Sequence, residues 1–255
     1  MSLIITVYVP EGIVMASDSR QSITIGGETP TGEEFKVETV NSDAVTKTVL
    51  LKQQQVGISN FGQDLLNGVP MAIYIKRFNE EELVASDDVT TIANKLVQYF
   101  KKSFPEADVG FHIAGFKKEG KSSIPHVYHC HVGKGTVERR NVKPDGSIAF
   151  GATWSGQIDI LTSIINPVAI KDSKGREKVL RAPAPIVWDA MTLQDGIDFS
   201  IYAIRTTIDT MRFQARAKNV GGPIDVLIIT PDRPPKWIQK KEYRGEQGKE
   251  YREEE

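Results

Sequence analysis

The sequence predicts an α+β protein in which two sheets pack together with helices outside them. Three observations carry that expectation. Strand-like and helix-like stretches follow the order strands, two helices, strands, two helices, strand, so helices come in pairs between blocks of strands rather than alternating with single strands as in a βαβ repeat. The run Ile224 to Thr230, IDVLIIT, is apolar over the length of one strand, which implies a strand buried on both faces. The chain of 255 residues is long enough to bury a substantial core.

Taken in order, Leu3 to Val9 and Ile13 to Ala16 read as two strands joined by the turn residues Pro10-Glu11-Gly12. Residues 26–43 are rich in Gly, Glu, Thr and Asn and read as a loop or ragged hairpin. Thr46 to Leu51 and Val56 to Ser59 are short strands. Helical stretches follow at Gln63 to Phe78, where Pro70 implies a kink or a late start, and at Asp87 to Ser103. In the latter, Val89, Ile92, Ala93, Leu96 and Phe100 share one face, and Pro105 ends it. Strands are expected at Val109 to Phe116, His126 to Val132, Thr136 to Arg140 and Ser147 to Gly151. A third helix, Gln157 to Ile165, precedes a Lys/Arg/Pro-rich insert at about 166–186. In the insert, the basic stretch Lys171 to Arg181 reads as a solvated loop or a partner contact. The next helix opens with Thr192 and Asp195 as a cap and carries the stripe Ile197, Ile201, Ile204, Ile208, Met211. After the buried strand, residues 233–255 are charged and read as a partly ordered tail, and length alone allows one domain or two before it.

Composition narrows the function classes. Thirty-two basic against thirty-three acidic residues give a net charge of -1, which argues against a nucleic-acid or anionic-membrane partner. No run approaches the ~20 apolar residues of a membrane span, and MSLIITVYVP lacks the basic start and cleavage site of a signal peptide. The lone Cys130 suits a reducing, cytoplasmic setting.

GxGxxG, HExxH and CxxC motifs are absent. GFKKEGKS, Gly115 to Ser122, matches the GxxxxGK[ST] phosphate loop in letters, but that loop needs a helix to open at its Lys-Ser. Here a Pro and a strand follow, so the segment reads as a polar hairpin loop. His129 and His131 flank Cys130; on a strand the two His share one face and Cys130 the other, with His126 on the side of Cys130. That leaves a metal site or plain strand histidines, of which the second is the simpler, so neither metal nor cofactor is expected.

The N-terminus is more informative. An initiator Met before Ser is normally trimmed, which would leave Ser2 first. A free α-amine, with a pKa of about 7.7–8.0, can act as general base toward its own residue's hydroxyl. In a hairpin turning near Glu11, Asp18 falls close to residue 2. Lys47, opening the next apolar strand, supplies a cation that would favour the free-base amine.

Ser2 followed by EGIVMASDSRQSITIG resembles the opening of proteasome β-subunits and of the bacterial proteasome-like peptidase HslV. VTKTVLLKQQQVGISNFGQD resembles their Lys-bearing strand and Gly-rich turn. FGATWSGQIDIL resembles the Gly-Ser-Gly-Gln segment that opens a helix, and MTLQDGIDFSIYAI with NVGGPIDVLIIT resembles their penultimate helix and last core strand. The matches run in order from residue 2 to about 230, similar to the proteasome-like branch of the N-terminal nucleophile (Ntn) hydrolases.

The resemblance implies a single domain over 1–232 built as a four-layer αββα sandwich, and a self-compartmentalising, homo-oligomeric ring of endopeptidase subunits acting on polypeptide substrates. An ATP-dependent unfoldase partner follows by analogy. It implies Ser2 as nucleophile in place of the family's Thr, Asp18 as the orienting acid, Lys47 as the cation and Ser155 as an auxiliary hydroxyl. The oxyanion-hole amide falls at Asn60 or Gly62. Ala217 and Val220 stand where many β-subunits carry Asp and Ser. That departure, or a retained Met1, would favour a catalytically silent structural or gating subunit. A small-molecule Ntn amidohydrolase is the third reading.

Overall fold

The computed structural model describes residues 2–244 and 250–251. Strands β1 (Leu3–Val9) and β2 (Gly12–Ser17) form the expected tight hairpin. Every side chain in both is buried. Leu3, Ile5, Val7 and Val9 join a cluster with the C-terminal helix, whereas Tyr8, Ile13 and Met15 join residues of the other sheet. Burial on both faces explains why these strands show no apolar-polar alternation.

The stretch read as a loop or ragged hairpin is a long two-stranded ribbon, β3 (Gln21–Glu28) with β4 (Glu34–Ser42). Then come β5 (Thr48–Leu51) and β6 (Val56–Gly62), and a small ribbon of β7 (Leu65–Leu66) and β8 (Val69–Pro70). Helix α1 (Met71–Glu82) starts late, eight residues after Gln63. Pro70 stands extended at its N-cap, and Asn67 and Gly68, both at positive φ, turn the chain beforehand. Helix α2 (Val89–Ser103) is capped by Asp88, whose carboxylate accepts from the Thr91 amide at 2.8 Å.

Strands β9 (Val109–Glu119) and β10 (Ser122–His131) form one hairpin turning at Gly120, so GFKKEGKS opens no helix. β11 (Thr136–Arg139) completes that sheet. The strand expected at Ser147 to Gly151 lies one segment later. Only an isolated bridge, Val142 to Ile148, forms there, and β12 (Gly151–Gly156) starts where pairing with Tyr8 of β1 begins. Helix α3 (Asp159–Ile165) precedes a second ribbon, β13 (Val168–Lys171) with β14 (Glu177–Arg181), inside the expected insert. After a 3₁₀ turn at Trp188–Ala190, α4 (Leu193–Phe213) opens with a full capping box from Thr192 and Asp195. β15 (Asp225–Ile229) is the strand buried on both faces, and within the following charged segment β16 (Lys236–Gln239) pairs with it. β17 (Tyr243–Arg244) and β18 (Glu250–Tyr251) form a last ribbon.

The fold is thus mixed α+β with antiparallel pairing. One five-stranded sheet runs β12-β1-β2-β15-β16 and the other β11-β10-β9-β6-β5. The first packs α3 and α4 around Ile5, Ile204 and Val226; the second packs α1 and α2 around Phe78, Phe100 and Phe111. A third cluster, including Met15, Ala114, Val127 and Leu227, joins the two sheets.

Candidate active site

The end of β1 that carries Ser2 is built from backbone upward. β2 runs back beside β1, so Ile4 faces Ser17 and the Asp18 amide donates to the Leu3 carbonyl at 3.2 Å. Asp18 then returns its carboxylate to the Leu3 amide at 2.9 Å, fixing the peptide that follows Ser2. On the other side β12 pairs with β1, and the Gln157 amide donates to the Ser2 carbonyl at 2.7 Å. Gly156, at φ +98, is what allows this approach: a Cβ there would lie 1.8 Å from the Ser2 carbonyl oxygen.

Asp18 and Lys47 are both fully buried, and the Lys47 ammonium donates to Asp18 Oδ1 at 2.8 Å and to the Arg20 carbonyl at 2.5 Å. The second carboxylate oxygen accepts from the amides of Arg20 at 3.2 Å and Gly221 at 3.0 Å. Gly221 belongs to the NVGG segment, which the sequence placed before the last core strand. Four donors thus compensate a charge that would be costly to bury alone. Beside this saturated pair, Ser2 is itself buried, and its Oγ has no hydrogen-bond partner among the described residues. Met1, whose removal the sequence reading requires, lies outside the described residues.

Ser155 lies opposite Ile4 on β12, and by strand alternation its side chain shares a sheet face with that of Ser2. Its hydroxyl is held by the Nε2 of His112 at 3.0 Å, while His112 Nδ1 meets Thr6 Oγ1 at 3.1 Å. His112 is fully buried, and burial holds its pKa well below 6.5, with like charge on His129 and Arg140 adding to the effect. The ring is neutral near pH 7, one nitrogen donating and the other accepting. Close by, Thr48 joins Ser17 and Ser59 through hydroxyl contacts of 2.9 Å each. A polar layer therefore lies between the sheets at the Ser2 end, where the joining cluster is otherwise apolar.

Asn60 and Gly62 lie on β6. The Asn60 amide donates to the Lys47 carbonyl at 2.9 Å, and its side-chain nitrogen donates to Asp64 at 3.0 Å. Gly62 takes φ +88, with a Cβ excluded by the Asp108 carbonyl. Burial raises the pKa of Asp64, an effect the Lys47 charge opposes. Val220 is buried with the α4 cluster, so its side chain belongs to packing. A groove of about 590 Å³ runs from Gly156 and Gln157 along α3 to Ala169, beginning at the segment that holds Ser2.

The histidines around Cys130 divide as the strand period requires. His129 and His131 meet the Phe61 ring from one face, and Cys130 lies in the α2-side core with its thiol pushed up to about 12 by burial. Among the described residues no group of three or more His, Cys, Asp or Glu side chains is placed to hold a metal. Nor is any helix there long and apolar enough to cross a membrane. Two further residues at this end, His112 and Asp64, belong to no motif of the sequence. The signal for His112 was present: a single His at an inward position in the otherwise apolar VGFHIAG.

No protein-family profile matches the sequence, and no curated protein matches it. Solved structures do. An Anbu (Gly-1) mutant from Hyphomicrobium sp. strain MC1 superposes with a TM-score of 0.57 at 13% identity, over 93% of this chain and 87% of that one. Anbu from the same strain gives 0.54 at 14% identity, over 92% and 87%. Anbu (ancestral beta-subunit) from Yersinia bercovieri gives 0.55 at 12%, over 93% and 87%. At these identities the likeness is one of fold, and nearly the whole chain takes part in it.

Proposed function

We propose that this chain is a proteasome-like endopeptidase subunit of the Ntn-hydrolase type, with Ser2 as nucleophile once Met1 is removed. The observation that carries the reading is the buried Asp18–Lys47 pair closed onto the Leu3 amide, with the buried Ser2 hydroxyl next to it left without a hydrogen-bond partner among the described residues. A saturated ion pair of this kind is a poor source of stability. Its use is to hold a positive charge and a fixed backbone beside residue 2.

In this reading the α-amine of Ser2 takes the Oγ proton as Oγ attacks the substrate carbonyl. Lys47 keeps that amine unprotonated. Of the two oxyanion candidates, the Asn60 amide is committed to the Lys47 carbonyl, and amides along the extended β6 point alternately to its two neighbours. That alternation turns Gly62 to the Lys47 side, so we assign it the oxyanion. The amine returns its proton to the leaving peptide amine, an acyl-enzyme remains on Oγ, and water attacks it to release the acid and regenerate the hydroxyl. Asp18 positions and Ser155, held by His112, is the auxiliary hydroxyl next to the amine.

The three hydrophobic clusters support a four-layer αββα sandwich, helices on each outer face of two joined sheets. The likeness to Anbu, an ancestral beta-subunit in Yersinia bercovieri, supports a homo-oligomeric ring. Polypeptide is then the substrate, an ATP-dependent unfoldase is the partner in supply, and the buried, unpaired Cys130 suits a cytoplasmic setting.

Intact mass of the native chain and hydrolysis of fluorogenic peptides test this together. Loss of Met1 in wild type and loss of hydrolysis in Ser2→Ala, with unchanged circular dichroism, are expected. Met1 on essentially all chains, or equal activity in Ser2→Ala, rejects the nucleophile and leaves the silent structural subunit, which the buried apolar Val220 favours.

A further inference from the structure

Among the described residues, the ribbons β3–β4 and β13–β14 pair as strands with neither five-stranded sheet. An isolated two-stranded ribbon is marginal in water, yet both expose large apolar side chains. In β3–β4 the pairs Ile23 with Thr39, Ile25 with Val37 and Gly27 with Phe35 place Ile23, Ile25, Val37 and Phe35 on one face. Ile25, Val37 and Phe35 are 50%, 52% and 42% exposed.

The rest of this ribbon is acidic: Glu28, Glu33, Glu34 and Glu38 against Lys36. Glu28 and Glu34 stand directly opposite each other, a repulsive arrangement for a ribbon on its own. Neither they nor Glu33 have an ion-pair partner among the described residues.

The other ribbon is the complement. Residues 169–180 carry Lys171, Lys174, Arg176 and Lys178 against Asp172 and Glu177, and Asp172 is occupied by Arg176 at 2.8 Å. Ile170, Val179 and Leu180 are 49%, 56% and 55% exposed. The acidic ribbon follows β2 and the basic one follows β12 and α3. The two therefore leave the first sheet on opposite sides of β1.

We propose that the acidic β3–β4 ribbon of one copy docks on the basic β13–β14 ribbon of the next copy. The exposed apolar side chains are covered, and the tip glutamates lie against Lys174 and Lys178. The proposal rests on the ring reading above and names the contact that would build the ring. Because the two surfaces differ, the contact is head-to-tail, and its repetition closes a ring or runs on as a helix. Apolar burial supplies the affinity, and the opposed charges set register and on-rate.

Sedimentation velocity on the full chain tests it with Glu28→Lys/Glu34→Lys, Lys174→Glu/Lys178→Glu and an equimolar mixture of the two. Wild type is expected at a multiple of 28.3 kDa, each reversal alone at monomer mass, and the mixture back at the assembled mass, because reversed ribbons meet each other. Restoration on mixing also shows that both variants are folded. Phe35→Ser/Val37→Ser, which leaves the charges in place, should weaken assembly at least tenfold. Wild-type assembly in both reversal variants overturns this contact while leaving a ring built elsewhere. Monomeric variants that stay monomeric when mixed overturn it too. A wild type that is monomeric throughout the micromolar range overturns the ring reading itself.

Discussion

At the residue scale the site turns on charges and hydroxyls that have lost their water. Lys47→Met would strip Asp18 of the buried ammonium it pairs with while leaving it the amides of Leu3, Arg20 and Gly221. Removing one member of a buried pair costs about 3–5 kcal/mol, so urea unfolding should show a loss of that order. Asp18→Asn in the Lys47→Met background should cost less than it does alone, since the orphaned charge is then gone. Strict additivity would show that the two side chains do not act as a pair. His112 offers a finer test. His112→Leu leaves Thr6 and Ser155 without their imidazole partner, and each unpaired buried hydroxyl costs about 1–3 kcal/mol. His112→Gln places an amide near Nε2 and keeps a bond to Ser155 within reach. If the chain is the endopeptidase proposed above, peptide hydrolysis should therefore fall further in His112→Leu than in His112→Gln, chiefly in kcat. Equal losses, or a change confined to stability, would mean that His112 serves packing alone.

At the scale of elements, close approach of strands matters more than helix propensity. Gly156→Ala would drive a Cβ into the Ser2 carbonyl and strain φ +98 besides, so it should lower the melting temperature and displace Ser2. Gly146→Ala, at φ +84 with nothing within 4 Å of the added carbon, separates strain from collision. Strain alone costs about 1–2 kcal/mol, and the difference between the two melts reads the collision. Thr192→Ala should cost about 1 kcal/mol through loss of its cap to the Asp195 amide. Elements like α4 and α2 were legible because cap and apolar stripe sit in one short window. The β1–β2 hairpin was legible through its turn residues, and that placed Asp18 beside residue 2. The ribbons were less so: β13–β14 carries apolar residues on both faces among many charges, which reads as a solvated insert. The start of β12 is set by its partner β1, information held about 140 residues away. His112 escaped notice because a lone histidine in an apolar strand gains meaning only when Thr6 and Ser155 arrive from another sheet.

At the scale of the whole molecule, buried histidines make stability depend on pH in a definite direction, His112 and His129 from the face between the sheets and His126 from the α2 side of β10. Burial is the leading cause that lowers the pKa of His112, His126 and His129, with positive charge on nearby groups acting the same way. In the unfolded chain these rings regain a pKa near ~6.5. Between that value and their depressed folded values the unfolded state binds more protons, so stability falls as pH falls below about 6.5, by up to about 1.4 kcal/mol per pH unit for each ring fully engaged. His112, fully buried, contributes most; His126 and His129 contribute less because Glu119 and Glu138 respectively favour their charged forms. Asp64 acts in the opposite sense, since its folded pKa is raised and it holds a proton that the unfolded chain releases. Its contribution grows as pH falls through its raised value toward the ordinary carboxylate range of about 4. The histidine effect governs first on acidification from neutrality. Urea midpoints taken from pH 7.5 down to 5.5 should therefore decline, and His112→Gln should show a shallower decline from its own lower starting point. A flat profile in the wild type would mean that the rings keep ordinary affinities in the folded protein. The sheets would then have to admit water where the structure shows a closed layer.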